Sequence, residues 1–163
     1  MDVDGVLTDG TVTICTAAGE TKTFSIIDGL GLILVRAAGV ELAWISGRKS
    51  ETTSMRAAEL KIMHVVQGRH DKLVALVELA TSLGIPLSAC AYMGDDFIDA
   101  PAISAAGIGI SVPTALPAAI AAADYVTKRN AGHGAVREVC DLILDSQGKP
   151  SGNHTVPKRP KTR

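Results

Sequence analysis

The chain has 163 residues, a formal net charge of −1, and a composition that is 47% hydrophobic but only 3% aromatic. That length suits one domain with a real core, and the shortage of aromatics means the core is built from Ala, Val, Leu and Ile, as in helices packed on a parallel sheet. No apolar run is long enough to span a bilayer and the acidic start is unlike a signal peptide, so a soluble cytoplasmic protein without membrane partners is expected.

The first residues read DVDGVLTDG, with Asp2 and Asp4 two apart and Gly5 directly after them. Alternation along a strand puts residues two apart on one face, and glycine permits a tight turn beside a ligand. Such a pair also fits an acidic surface turn. Thr11–Thr16 and Thr21–Ile26 are β-rich runs joined by residues 17–20, predicting a hairpin with an apolar face carrying Val12, Ile14, Phe24 and Ile26. A lone two-stranded ribbon is marginal in water, so its apolar face and free edges call for a partner.

From there, apolar runs of strand length alternate with stretches of helical period. A helix is expected within Ile26–Ala38, a strand at Glu41–Ile45, a helix at Lys49–Leu60 and a strand at His64–Val66. Asp71–Leu83 reads as a helix stopped by Gly84 and Pro86. Ala89–Met93 is a strand, followed by a helix through Ala105, strands at Gly107–Ser111 and Asp124–Val126, a helix near Pro117–Ala123, and a last helix at Gly134–Leu144. Strands alternating with helices predict an α/β fold with a doubly wound, mostly parallel sheet, binding ligands beyond the carboxyl ends of its strands. Residues 1–147 form one domain in this reading. Residues 148–163 form a flexible tail with five basic residues and no acid, leaving −6 on the body, a balance that argues against nucleic-acid binding. Cys15, Cys90 and Cys140 lack metal-site or disulfide spacing and read as small thiols in a reducing compartment.

Four candidate sites each follow an apolar strand. Asp2 and Asp4 come first. Ser46 with Gly47 comes next, able to hold an anion with main-chain N–H groups or simply to cap a helix. Lys72 stands at a helix N-terminus, where a cation opposes the macrodipole unless a strongly anionic ligand is present. Last, GDDFID supplies Asp95, Asp96 and Asp99, a cluster suited to magnesium or to an acidic first helical turn.

The conjunction DVDGVLTD, Ser46, Lys72 and GDDFID resembles the haloacid dehalogenase superfamily of phosphotransferases, whose pattern it completes in order. The resemblance implies a Rossmann-like core and an aspartyl-phosphate mechanism. Asp2 would be the nucleophile and Asp4 the general acid and base. Ser46, Gly47 and Lys72 would bind phosphate. Asp2, the main-chain carbonyl of Asp4 and Asp95 would hold Mg2+, with Asp96 and Asp99 behind them. The intervals between these motifs leave no room for an inserted cap domain. Longer matches, among them FSIIDGLGLILVRAAGV, ISGRKSE and ADYVTKRNAGHGAVREVCDLIL, resemble the capless subgroup acting on phosphates of eight- and nine-carbon keto sugar acids.

That resemblance implies a homotetramer whose hairpins form a central barrel, with a basic tail that can reach a neighbouring site. It also suggests Arg48, Arg69 and a neighbouring subunit's Asp28 as substrate contacts. Arg48 favours an eight-carbon substrate of lipopolysaccharide precursor synthesis over a nine-carbon one. Two other readings stay open: a phosphorylated receiver domain, which would lack the DxD after its first strand, and a catalytically idle tetramerisation module. One departure stands out, since only Met1 precedes Asp2 and one residue rising about 3.3 Å cannot cross a sheet. A start lying further upstream is the favoured expectation.

Overall fold

A computed structural model of the protein describes residues 1–16 and 19–149; the basic tail expected beyond them, and its reach, lie outside the described residues. A short antiparallel hairpin comes first, β1 (Thr13–Cys15) and β2 (Gly19–Thr21), pairing Thr13 with Thr21 and Cys15 with Gly19. The remaining elements alternate: α1 (Ile26–Ala37), β3 (Ala43–Ser46), α2 (Glu51–Leu60), β4 (His64–Gln67), α3 (Lys72–Ser82), β5 (Ala91–Met93), α4 (Ala100–Ala105), β6 (Ile108–Ser111), α5 (Pro117–Ala122), β7 (Tyr125–Val126) and α6 (Ala135–Ser146). The expected alternation is present with boundaries shifted by a few residues: α3 is trimmed at both ends, while β4 gains Gln67 and α6 runs on to Ser146.

The hairpin arms are shorter than expected, and Phe24 does not belong to the hairpin's apolar face. Its ring stacks on Trp44 at 6.5 Å between centroids, with the Arg56 guanidinium 5.9 Å from its own centroid. Large apolar area draws the return strand into the core after Thr21. Serine caps then start the helices: Ser25 accepts from Asp28 N at 3.2 Å for α1, and Ser50 from Thr53 N at 3.2 Å for α2.

β3–β4 and β5–β6–β7 are two parallel sets. Between them lies the stub Met1–Asp2. The Met1 nitrogen donates to Ala43 O at 3.0 Å, Ile45 N donates to Met1 O at 2.9 Å, and Asp2 N donates to Met93 O at 2.9 Å. These are the bonds of a parallel ladder, so two residues join both halves into one sheet. Alternation then sorts the core into two layers. Trp44, Met93 and Ile110 pack with α1 and α6 on one face, while Ile45 and Tyr92 pack with α3, α4 and α5 on the other. No described helix is long and apolar enough to cross a membrane.

A groove of about 360 Å³ is walled by Ala43, Ile45, Ala91 and Met93 from the strands and by side chains such as Leu76 and Val139 from the helices. Parity turns the N–H groups of Ala43 and Met93 toward it, on the side already used by Met1 and Asp2. Joining four β-branched residues ahead of Met1 should fill this groove with a parallel strand. The melting temperature is expected to rise by about 5 °C or more, and a Gly-Ser extension of equal length should leave it unchanged. Equal melting temperatures for both extensions would contradict this account of the groove.

Candidate active site

The carboxyl ends of the strands converge on a crevice of about 180 Å³ lined by Asp2, Asp4, Gly47, Arg48, His70, Lys72, Asp95, Asp96 and Ile98. Asp2 leaves the stub directly into it. The chain then winds into a tight loop, in which Val3 O accepts from the N–H groups of Val6, Leu7 and Thr8. Gly5 sits at φ +86°, and a Cβ there would overlap the Asp95 carboxylate. Glycine is therefore needed for both conformation and space. Thr8 Oγ1 closes the loop by accepting from Gly5 N at 3.3 Å and Gly10 N at 3.2 Å.

Lys72 opens α3 and is buried. Its Nζ donates to Asp2 Oδ1 and to Ile45 O at 2.7 Å, and lies 3.5 Å from Asp99 Oδ1. Asp2, Asp95 and Asp99 each place a carboxylate oxygen within 4.8 Å of the others. Asp99 is held by Tyr92, whose hydroxyl donates to Oδ1 at 2.8 Å, and by the N–H groups of Asp95 and Asp96, which donate to Oδ2 at 3.3 and 3.2 Å. The Asp4 carboxyl is outside this trio and pairs instead with Lys22, 2.6 Å from its Oδ1.

One lysine cannot neutralise three clustered carboxylates. Burial, then repulsion from Asp99, raises Asp2 to about 6 against the pull of Lys72. Burial, then Asp2, Asp99 and Asp96, raises Asp95 to about 7. Asp95 Oδ1 is buried without a hydrogen-bond partner among the described residues. Excess negative charge and an orphaned carboxylate oxygen fit a hard divalent cation.

Other expected positions fall differently. Ser46 is buried, and its hydroxyl is engaged with its own turn, donating to Arg48 O and accepting from Arg48 N, both at 3.1 Å. Gly47 lines the crevice with His70 close above it. Arg48 also lines it, tied to Glu20 at 2.9 Å. Asp96 faces the crevice while its Oδ1 accepts from Phe97 N at 2.5 Å.

Two expected substrate contacts do not line the crevice. Asp28 is only 1% exposed; its carboxylate accepts from Gly134 N at 3.2 Å and Arg137 N at 2.7 Å, capping α6 from within. Arg69 is not a crevice residue, because its guanidinium forks onto Asp71 at 2.7 and 2.8 Å and reaches Glu78 at 3.0 Å. The sequence reading missed His70 and Lys22. His70 lies two residues before Lys72, in the same post-strand turn that drew attention to the lysine. Lys22 carries no motif.

Residues 42–139 match the model of the haloacid dehalogenase-like hydrolases. Over 149 residues the chain is 44% identical to the Escherichia coli 3-deoxy-D-manno-octulosonate 8-phosphate phosphatase KdsC, covering 91% of this chain and 79% of that protein. The Moraxella catarrhalis phosphatase of the same name, solved with magnesium, phosphate and KDO, superposes with a TM-score of 0.89 at 51% identity, over 91% of this chain and 85% of that one. The cobalt-bound Haemophilus influenzae deoxy-D-mannose-octulosonate 8-phosphate phosphatase gives a TM-score of 0.89 at 38% identity, over 94% and 90%.

Proposed function

Because the chain belongs to the haloacid dehalogenase-like hydrolases, and among them to the 3-deoxy-D-manno-octulosonate 8-phosphate phosphatases, we propose that it hydrolyses 3-deoxy-D-manno-octulosonate 8-phosphate to the free sugar acid and phosphate. The observation that supports this best is Lys72 bridging Asp2 inside the carboxylate cluster, an arrangement suited to gripping a phosphoryl group beside its nucleophile.

In this mechanism a carboxylate oxygen of Asp2 attacks phosphorus in line, the P–O bond to the sugar breaks, and Asp4 gives the leaving oxygen its proton. Asp4, now ionised, takes a proton from the water that attacks the aspartyl-phosphate. Phosphate leaves and both carboxyls return to their starting states. Lys72 and Gly47 hold the phosphoryl oxygens, joined by the Ser46 hydroxyl once it exchanges Arg48 O for phosphate, and Arg48 faces the substrate's carboxylate. Magnesium would be held by Asp2, Asp95 and the main-chain carbonyl of Asp4, with Asp96 and Asp99 supporting; when bound it neutralises the charge on phosphate and acids.

The assembly proposed is a homotetramer, in which the hairpin serves as a lid for the next subunit's capless site. Its support is the exposure of Ile14 (81%) on β1 and of Ile26 (84%) at the start of α1, large apolar side chains open to a partner. A cytoplasmic location fits the three unpaired cysteines. Phosphate release should favour the eight-carbon substrate over a nine-carbon keto-acid 9-phosphate by at least about tenfold in kcat/KM. Equal or reversed rates would overturn the substrate assignment.

Metal removal has a signed pH consequence. Asp2 and Asp95 rise from 3.8 to about 6 and about 7 in the folded protein. Between the unfolded and folded values the native state binds more protons, so metal-free stability falls as pH rises through that window. Magnesium needs the ionised carboxylates and displaces those protons. The metal-free melting temperature should drop by several degrees from about pH 5 to about pH 7.5, and Mg2+ should raise it more at the higher pH. A magnesium increment that is larger at the lower pH would contradict the charge balance described for the cluster.

A further inference from the structure

Lys22 leaves the hairpin immediately after β2, yet its side chain is fully enclosed, with 0% exposure. Its ammonium has three neighbours: Asp4 Oδ1 at 2.6 Å, Thr53 Oγ1, to which it donates at 3.3 Å, and Glu20 Oε1 at 3.9 Å. Thr53 is fully buried on α2 and gives the ammonium a rigid anchor. Glu20 in turn binds Arg48 at 2.9 Å, so one charge chain runs Asp4–Lys22–Glu20–Arg48 from the acid to the crevice wall. Both Asp4 carboxylate oxygens are buried with no hydrogen-bond partner among the described residues, and only Oδ1 has the ion pair with Lys22.

A carboxyl on a glycine-flanked loop has several rotamers, and proton transfer demands one of them within hydrogen-bond reach of the leaving oxygen. Holding one oxygen by a buried ammonium leaves the other free for the substrate. Resting on the mechanism given above for Asp4, we propose that Lys22 is its positioning residue: the hairpin's lysine clamps Oδ1 so that Oδ2 meets the leaving oxygen. The clamp also ties the acid to the hairpin, the element exposed for contact with another subunit.

A leaving-group comparison isolates this role. A sugar alkoxide must be protonated as it departs, whereas p-nitrophenolate leaves without a proton. Lys22→Met should lower kcat/KM on the sugar phosphate by about 10²-fold and on p-nitrophenyl phosphate by less than about threefold. If Lys22→Met does not fold, Lys22→Gln carries the same comparison.

Equal losses on both substrates, or no loss on the sugar phosphate, would overturn the positioning role. Asp4→Asn separates the two levels of the argument. A selective loss in Asp4→Asn with an unselective one in Lys22→Met removes Lys22 alone. An unselective loss in Asp4→Asn removes the general-acid assignment and the Lys22 proposal with it.

Discussion

Asp2→Asn is expected to lower kcat by about 10⁴-fold or more while leaving the protein folded. The amide keeps the shape of the carboxyl but cannot attack phosphorus at a useful rate. Folding should survive because the change removes a charge that the native state disfavours: burial and Asp99 hold Asp2 well above the ordinary carboxylate range. With one acid fewer around Lys72, the metal-free melting temperature near neutral pH should hold steady or rise. Steady-state phosphate release and thermal melting check both halves. Asp2→Asn with substantial remaining activity would remove the nucleophile assignment, and one that is inactive because it is unfolded would contradict the charge argument.

Lys72→Met should be nearly as damaging, by a different route. Lys72 faces Asp2, Asp99 and Ile45 O with no access to solvent, so its loss strips the cluster of a cation and leaves Ile45 O without that donor. Asp2 then holds its proton to higher pH, which withdraws the nucleophile, and the phosphoryl oxygens lose a ligand. A fall of about 10³-fold in kcat/KM is expected, with the acidic limb of the pH–rate profile displaced to higher pH. Lys72→Arg should not rescue it, because a planar guanidinium has no room in a fully packed niche made for one ammonium. An unmoved acidic limb would contradict the coupling of Lys72 to Asp2.

The parallel α/β fold was legible because short apolar runs, most of them closed within two residues by Gly, Ser or Asp, alternate with helical periodicity. The crevice was legible for a related reason. Asp2, Lys72 and Asp95 all follow strands, and in a parallel sheet strand ends meet at one edge. What escaped the sequence depends on contacts distant along the chain. Asp28 entered as a substrate contact only through the family resemblance, and no local pattern shows that it caps α6, more than a hundred residues away. Lys22 was passed over because one basic residue in a polar arm has no periodic signal; only the path of the return strand carries it back to Asp4. The hairpin was overextended because Phe24 continues the alternation, while its stacking on Trp44 ends the ribbon earlier. The stub at Met1–Asp2 looked too short to be a strand, and it serves as one by bonding β3 and β5 on either side.

The covalent role of Asp2 is the claim on which the rest depends. Acid-quenching the magnesium-loaded enzyme within one turnover of substrate carrying labelled phosphorus, followed by peptide mapping, tests it directly. The expected result is base-labile label on the peptide containing Asp2, absent from Asp2→Asn, and accumulating in Asp4→Asn when the labelled donor is p-nitrophenyl phosphate, whose leaving group needs no proton while hydrolysis of the acyl phosphate is slowed. Label on another residue, or turnover with no labelled peptide in the wild type and in Asp4→Asn, would contradict it.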